Sequence, residues 1–138
     1  MDQNNENVKD LTSAAPEELA AAIVNTLYTK KAHNIKMLHV TDHTIIADYF
    51  VIATGNSNTQ IKALADELDY KIGLSGVNPQ SIEGFSEASW IVLDYASVIV
   101  HIFNRDTREF YNLEKLWGDS ENVDVNQYIE DKEDDDNE

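Results

Sequence analysis

Several groups of residues in this 138-residue chain are of types that could do chemistry. His39 and His43 stand four apart, a spacing that brings two imidazoles onto one metal ion only within a helix. Their segment is an apolar run ending at Val40 followed by the polar stretch Thr41 to Thr44, which reads as strand and turn. No metal site is expected there. Thr54-Gly55-Asn56-Ser57 makes a small-residue turn ahead of a helix, where backbone N–H groups can hold an anion. Nucleotidyl transfer could use such a turn, but it also needs two or more carboxylates converging on a divalent metal. Asp48 and Asp94 are single acids on separate segments, and no lysine or arginine sits in the turn. Neither G-x-x-x-x-G-K nor G-x-G-x-x-G occurs, and Ser57 reads as a helix N-cap. The serines lie in caps and turns without the strand–elbow–helix context of a G-x-S-x-G nucleophile. The absence of cysteine removes thiolate catalysis, disulfides and cysteine-ligated zinc together. The expectation is therefore no enzyme, with no catalytic residue, no metal and no cofactor.

A second group is better suited to recognition. Trp90 to Tyr95 and Val98 to Phe103 are apolar runs separated by Ala96-Ser97, so they predict an antiparallel hairpin in which Tyr95 pairs with Val98. Strand alternation then places Ile91, Leu93, Tyr95, Val98, Val100 and Ile102 on one apolar face, which must be core. Trp90, Val92, Asp94, Ile99, His101 and Phe103 share the other face. Two large aromatics beside an acid and a histidine have the composition of an interface centre. The competing reading is that the C-terminal helix covers this face and Asp94 caps a backbone group. The candidate partner-binding residues are Trp90, Asp94, Tyr95, His101 and Phe103.

The elements that must position these residues follow from periodicity. A helix starts near Ser13 to Pro16, with Glu17 and Glu18 at its positive end, and runs through Leu19, Ile23 and Leu27 to Lys30 and Lys31. Ile35 to Val40 is a strand, and a second apolar run extends from Ile45 to Thr54. Ser57 with Gln60 is a capping box that opens a helix carrying Ile61, Leu64, Ala65, Leu68 and Ile72, ended by Gly73. Ser81 to Phe85 is a short strand with Gly84 as a bulge. After the hairpin, Asp106 and Glu109 form a capping pair for a last helix through Phe110, Leu113, Leu116 and Trp117. The order predicts an α/β fold, a mixed sheet of about five strands flanked by helices, with one parallel pair beside an antiparallel hairpin.

Charge narrows the partners. The chain carries a formal net charge of −16, and its last ten residues hold seven of the acids against one lysine. The stretch from Glu17 to Trp117 still has a net charge of −5, with its lysines scattered. A nucleic-acid backbone needs a basic stripe, so a basic protein is the better electrostatic match, and no direct sequence-specific nucleic-acid binding is expected. No apolar run is long enough to span a membrane, and Met1 to Asp10 is polar and acidic where a leader would be cationic, so the expected location is the cytoplasm. The expected division is a flexible segment over 1–14, one domain over 15–118 and an acidic, disordered tail over 119–138.

Two ordered blocks carry a family resemblance. Ala47-Asp48-Tyr49-Phe50-Val51-Ile52-Ala53-Thr54-Gly55-Asn56-Ser57 with Gln60 is the first. The second runs from Glu83-Gly84 through Trp90 to Tyr95 and Val98 to Phe103, then to Arg108-Glu109-Phe110-Tyr111 and Leu113-Glu114-Lys115-Leu116-Trp117. Together they resemble the ribosomal silencing factor (Iojap) family over roughly residues 17 to 117. The resemblance implies a nucleotidyltransferase-like shape without its active site. It also implies a translational repressor that binds the large ribosomal subunit through ribosomal protein L-fourteen, blocks joining of the small subunit when nutrients are scarce, and forms a homodimer off the ribosome. Ala96 departs from the glycine of many relatives at a turn that prefers positive φ.

Overall fold

The structure, a computed structural model, describes residues 8–129. Pro16 opens helix α1 (Pro16–Thr29), where its missing N–H costs nothing, and Glu17 and Glu18 lie in the first turn. Strands β1 (His33–His39) and β2 (Tyr49–Thr54) follow, then α2 (Asn58–Leu74). Strand β3 (Ser81–Glu83) leads to the hairpin β4 (Trp90–Asp94) and β5 (Val98–Phe103). Two short helices, α3 (Arg105–Tyr111) and α4 (Leu113–Leu116), a strand β6 (Glu121–Val123) and one 3-10 turn (Val125–Tyr128) complete it.

The sheet has six strands in the order β3-β4-β5-β2-β1-β6. Only β2 and β5 run parallel, from Tyr49 beside Val98 to Thr54 beside Phe103, and the other neighbours are antiparallel. The mixed sheet with one parallel pair is thus as expected, with β6 as an added strand. Its first face is sealed by both long helices. Leu19, Ile23 and Leu27 of α1 and Ile61, Leu64, Leu68 and Ile72 of α2 meet Val51, Ile91, Leu93, Val100 and Ile102. The three- and four-residue spacing of these helical residues makes the apolar stripe that the sheet covers.

The ends of the domain differ from the sequence expectation. The expected tail over 119–138 begins too early: β6 pairs Val123 with Met37 and Glu121 with His39, and Val123, Val125, Tyr128 and Ile129 pack on the core. The Tyr128 hydroxyl donates to Glu17 Oε2 at 2.5 Å. Acid-rich composition hid this strand, because short strands gain stability from pairing and packing rather than from their own propensity. Residues 130–138 lie outside the described residues. The segment expected to be flexible over 1–14 is likewise anchored in part, since Leu11 is buried and its N–H donates to Ser75 O at 2.9 Å; residues 1–7 lie outside the described residues.

Three local expectations also change. The apolar run from Ile45 does not begin a strand, because turn hydrogen bonds hold the segment, including His43 N–H and Thr44 N–H to Val40 O. Helix α2 continues through Gly73 to Leu74, and Gly76 takes the positive φ. The last helix is capped by Asn104, which accepts from Thr107 N–H at 2.8 Å, and it breaks at Asn112, whose φ of 49° is left-handed. Asparagine tolerates that conformation because its short polar side chain bonds locally.

Candidate partner-docking face

The hairpin register is the one alternation predicts: Trp90 opposes Phe103, Val92 opposes His101 and Asp94 opposes Ile99. Ala96 adopts a φ of 73° at the turn. The Asp94 carboxylate helps hold it, since its Oδ1 accepts from Ala96 N–H at 2.8 Å. Part of the competing reading is therefore true, and Asp94 is a turn cap as well as a charge on this face.

The second sheet face carries a smaller core than the first. Leu38, Val40, Ala47, Phe50, Ile52 and Phe103 form its buried cluster, with Leu113 and Trp117 packed over it. Trp117 meets Phe50 edge-on at 5.1 Å. The C-terminal helices thus cover this face in part. Phe103 is 0% exposed and stacks with Trp90 at 4.9 Å, so it shapes the face from beneath and is corrected from a docking residue to a core one. Tyr95 is corrected in the same way: it lies in the core of the opposite face, because its place in the alternation is that of Ile91 and Leu93. Burial pushes its hydroxyl pKa up, with Asp69 adding to the effect.

Trp90 and His101 form the centre of what remains. Trp90 Nε1–H donates to His101 Nδ1 at 3.1 Å. An indole nitrogen only donates, so the neutral imidazole carries its proton on Nε2. His101 is 9% exposed, and burial lowers its pKa to about 4. Trp90 is half-buried and also packs on Tyr111 at 4.7 Å.

Other apolar side chains are exposed on the elements next to this face, two of them, Phe110 and Leu116, expected from the sequence on the apolar side of the last helix. Phe110 is 79% and Leu116 72% exposed on α3 and α4. The loop that supplies Val40 and Ala47 to the cluster also turns Ile45 wholly into solvent, 103% exposed, with Ile46 beside it. A shallow cleft sets these isoleucines and Asp48 against Asp94, Ala96 and Ser97 of the hairpin turn. Their signal in the sequence was two isoleucines next to a polar turn. Isolated exposed apolar residues are ordinary, whereas a group rimmed by polar residues is a candidate interaction surface.

The chemical alternatives can be placed on the same geometry. Asp48 and Asp94 do reach one cleft, yet Asp48 precedes β2 while the Thr54-Gly55-Asn56 turn follows it. Six strand residues separate them by about 20 Å at roughly 3.3 Å each. Within that turn Asn56 N–H already donates to Gln60 Oε1 at 2.6 Å, and Gln60 N–H to Ser57 Oγ at 3.0 Å. His39 stacks on Tyr49 at 4.6 Å and bonds Glu121 at 3.1 Å, while His43 is exposed in the turn. Among the described residues no group of three or more His, Cys, Asp or Glu could hold a metal ion, and no helix is long and apolar enough to cross a membrane.

Comparison with known proteins agrees with the motifs. The ribosomal silencing factor RsfS of Halalkalibacterium halodurans is 39% identical over 109 residues, covering 79% of this chain and 93% of that protein. The mouse protein named mitochondrial assembly of ribosomal large subunit protein 1 is 34% identical over 98 residues, covering 69% of this chain and 43% of that one. A crystal structure of a Chromobacterium violaceum protein superposes with a TM-score of 0.74 at 31% identity, covering 75% of this chain and 87% of the other. The family described as "Ribosomal silencing factor during starvation" matches residues 12–138, and the chain belongs to that family.

Proposed function

We propose that this protein represses translation by docking on the large ribosomal subunit through ribosomal protein L-fourteen, blocking its association with the small subunit when nutrients are limiting. The observation that carries the reading is the half-covered second sheet face, which Trp90 and His101 share with Asp94 at the far end of β4, with exposed Ile45 and Ile46 in the cleft at the Asp94 end and exposed Phe110 and Leu116 on the helices that follow the hairpin. A half-buried tryptophan held in place by a buried partner is the kind of anchor that binding hot spots use. The chain's net charge of −16 suits a basic ribosomal protein and speeds the encounter. The names of relatives, one a ribosomal silencing factor and one an assembly protein of the mitochondrial large subunit, support the ribosome as the partner.

The action is that of a binding protein in the cytoplasm, without a catalytic step, and free of the ribosome the chain pairs with a second copy. The roughly 20 Å between the Asp48 end of β2 and the Thr54-Gly55-Asn56 turn supports a role without nucleotidyl transfer. Sucrose-gradient sedimentation with tagged protein tests the proposal. Comigration with free large subunits and fewer coupled ribosomes as protein is added is the expected result. Migration with small subunits, or an unchanged coupled fraction, overturns it.

A further inference from the structure

The parallel strands β2 and β5 end side by side, with Gly55 N–H donating to Phe103 O at 2.9 Å, and the chain then leaves them in opposite directions. After β2 it passes to α2 on the first sheet face; after β5 it passes to α3 and α4 over the second. In open α/β sheets the crevice outside the carboxyl ends of two such strands is where ligands bind, because the diverging helices leave a gap that no side chain fills. Here the gap is a cavity of ≈ 540 Å³, within the size range of small-molecule sites.

Its lining is unlike the rest of this acidic chain. Lys36, Arg105 and Arg108, three of the ten Lys and Arg residues, converge on it. Arg108 forms a fixed floor: it is buried, donates from Nη1 to Thr54 Oγ1 at 2.7 Å and from Nη2 to Glu114 Oε2 at 2.7 Å. Glu114 is thereby neutralised. Lys36 and Arg105 are exposed at the mouth and make no ion pair within 4.0 Å among the described residues, although the charge of Lys36 reaches Glu114 and helps lower its pKa. Asn34 enters the lining through an irregularity of β1 between His33 and Lys36, where its φ is 52°. Such bulges re-aim side chains toward sites. Glu109 lies on the same wall and offers an acceptor.

We infer that this crevice binds a phosphate-bearing ligand of nucleotide size, its phosphate held by Arg105 and Lys36 and its hydroxyl or amino donors by Glu109. The site is separate from the docking face and does not depend on it. The occupied N–H groups of the Asn56 turn take no part, so recognition rests on the guanidinium and ammonium groups. A crevice of this size, with the other lysines of the chain scattered, favours a small molecule over a polymer backbone, which needs a cationic stripe.

Titration of the full chain by heteronuclear NMR tests this, with adenosine diphosphate as one probe and a ten-nucleotide single-stranded RNA as the other. The expected result is saturable shifts confined to Asn34, Asn56, Arg105 and Asn112 with the diphosphate. Binding should weaken at least tenfold in Lys36→Glu and Arg105→Glu, exposed positions where the melting temperature should stay that of wild type. Saturable shifts at the same residues with RNA alone would keep the phosphate site and assign it to a nucleic-acid backbone. No saturable shift with either probe, or undiminished affinity in both variants, overturns the inference whatever the protein does on ribosomes.

Discussion

Trp90 donates its indole hydrogen to Nδ1 of His101, and that bond fixes the tautomer of a buried histidine on the candidate docking face. Burial lowers the His101 pKa to about 4, whereas in the unfolded chain it sits near 6.5. The unfolded state therefore takes up a proton first as pH falls. Stability is fully present above about 6.5 and is lost progressively down to about 4, by roughly 3 kcal/mol in total. Urea unfolding of wild type and His101→Gln between pH 7.5 and 4 should show this component only in wild type. Equal slopes would mean that His101 titrates normally.

Arg108 and Glu114 bind each other beside Thr54, with Nε–H and Nη2 both donating to the same carboxylate oxygen. Burial raises the Glu114 pKa, but the hydrogen bond and charge of Arg108 outweigh it, and the net direction is down. Arg108→Ala leaves a partly buried carboxylate and the Thr54 hydroxyl without their partner. It should cost about 2–4 kcal/mol by chemical denaturation, and Glu114→Gln less. In a double-mutant cycle the two losses should fall short of additivity by 0.5 kcal/mol or more; strict additivity would show that the pair is not coupled.

Asp94 tests the docking face with its cap kept in view. Asp94→Asn retains an acceptor for Ala96 N–H and removes only the charge, so its melting temperature should match wild type while ribosome binding weakens. Asp94→Lys adds repulsion and should weaken binding by tens- to thousands-fold, since losing one member of a buried charged pair costs about 2–5 kcal/mol. Leu93→Lys, which drives a charge into the main core, should unfold the domain. Full cosedimentation of folded Asp94→Lys with large subunits would remove the hairpin face as the docking surface.

Ile45 and Ile46 give the complementary test. Each is exposed, so Ile45→Asp and Ile46→Asp should change stability by less than about 0.5 kcal/mol. Binding to large subunits should fall tenfold or more if the loop lies in the contact. Undiminished cosedimentation would confine the contact to the hairpin and the C-terminal helices.

Truncation after Gly118 removes β6 and the Tyr128–Glu17 hydrogen bond. The lost packing of Val123, Val125, Tyr128 and Ile129 should cost roughly 2–4 kcal/mol and lower the melting temperature on the order of 10 °C. An unchanged melting curve would restore the boundary at residue 118.

Much of this architecture was legible because its signals are local and consistent. Alternation through Trp90 to Phe103 fixed the register despite Ala96 at a positive φ, because one face had to be core. Ser57 and Gln60 marked the start of α2, although the glutamine reaches Asn56 N–H in place of the Ser57 N–H. What stayed hidden depends on distant partners. Exposure of Ile45 is set by hydrogen bonds of the preceding turn, and β6 exists through β1. The cationic crevice joins Lys36 to Arg105, residues far apart in sequence that meet only where β1, β2 and β5 share an end.

The two borders of the sheet, β3 and β6, are three residues long, and each carries an acid, Glu83 and Glu121. A strand of another molecule arriving at either border would find few backbone groups to pair with and a like charge to oppose it. β6 thus acts as a selvage, closing off the longer β1 that would otherwise be open to templated strand addition. Any self-association between copies is then directed to side-chain surfaces rather than to continuing the sheet, and loss of β6 should open a route to aggregation through the exposed rungs of His33–His39.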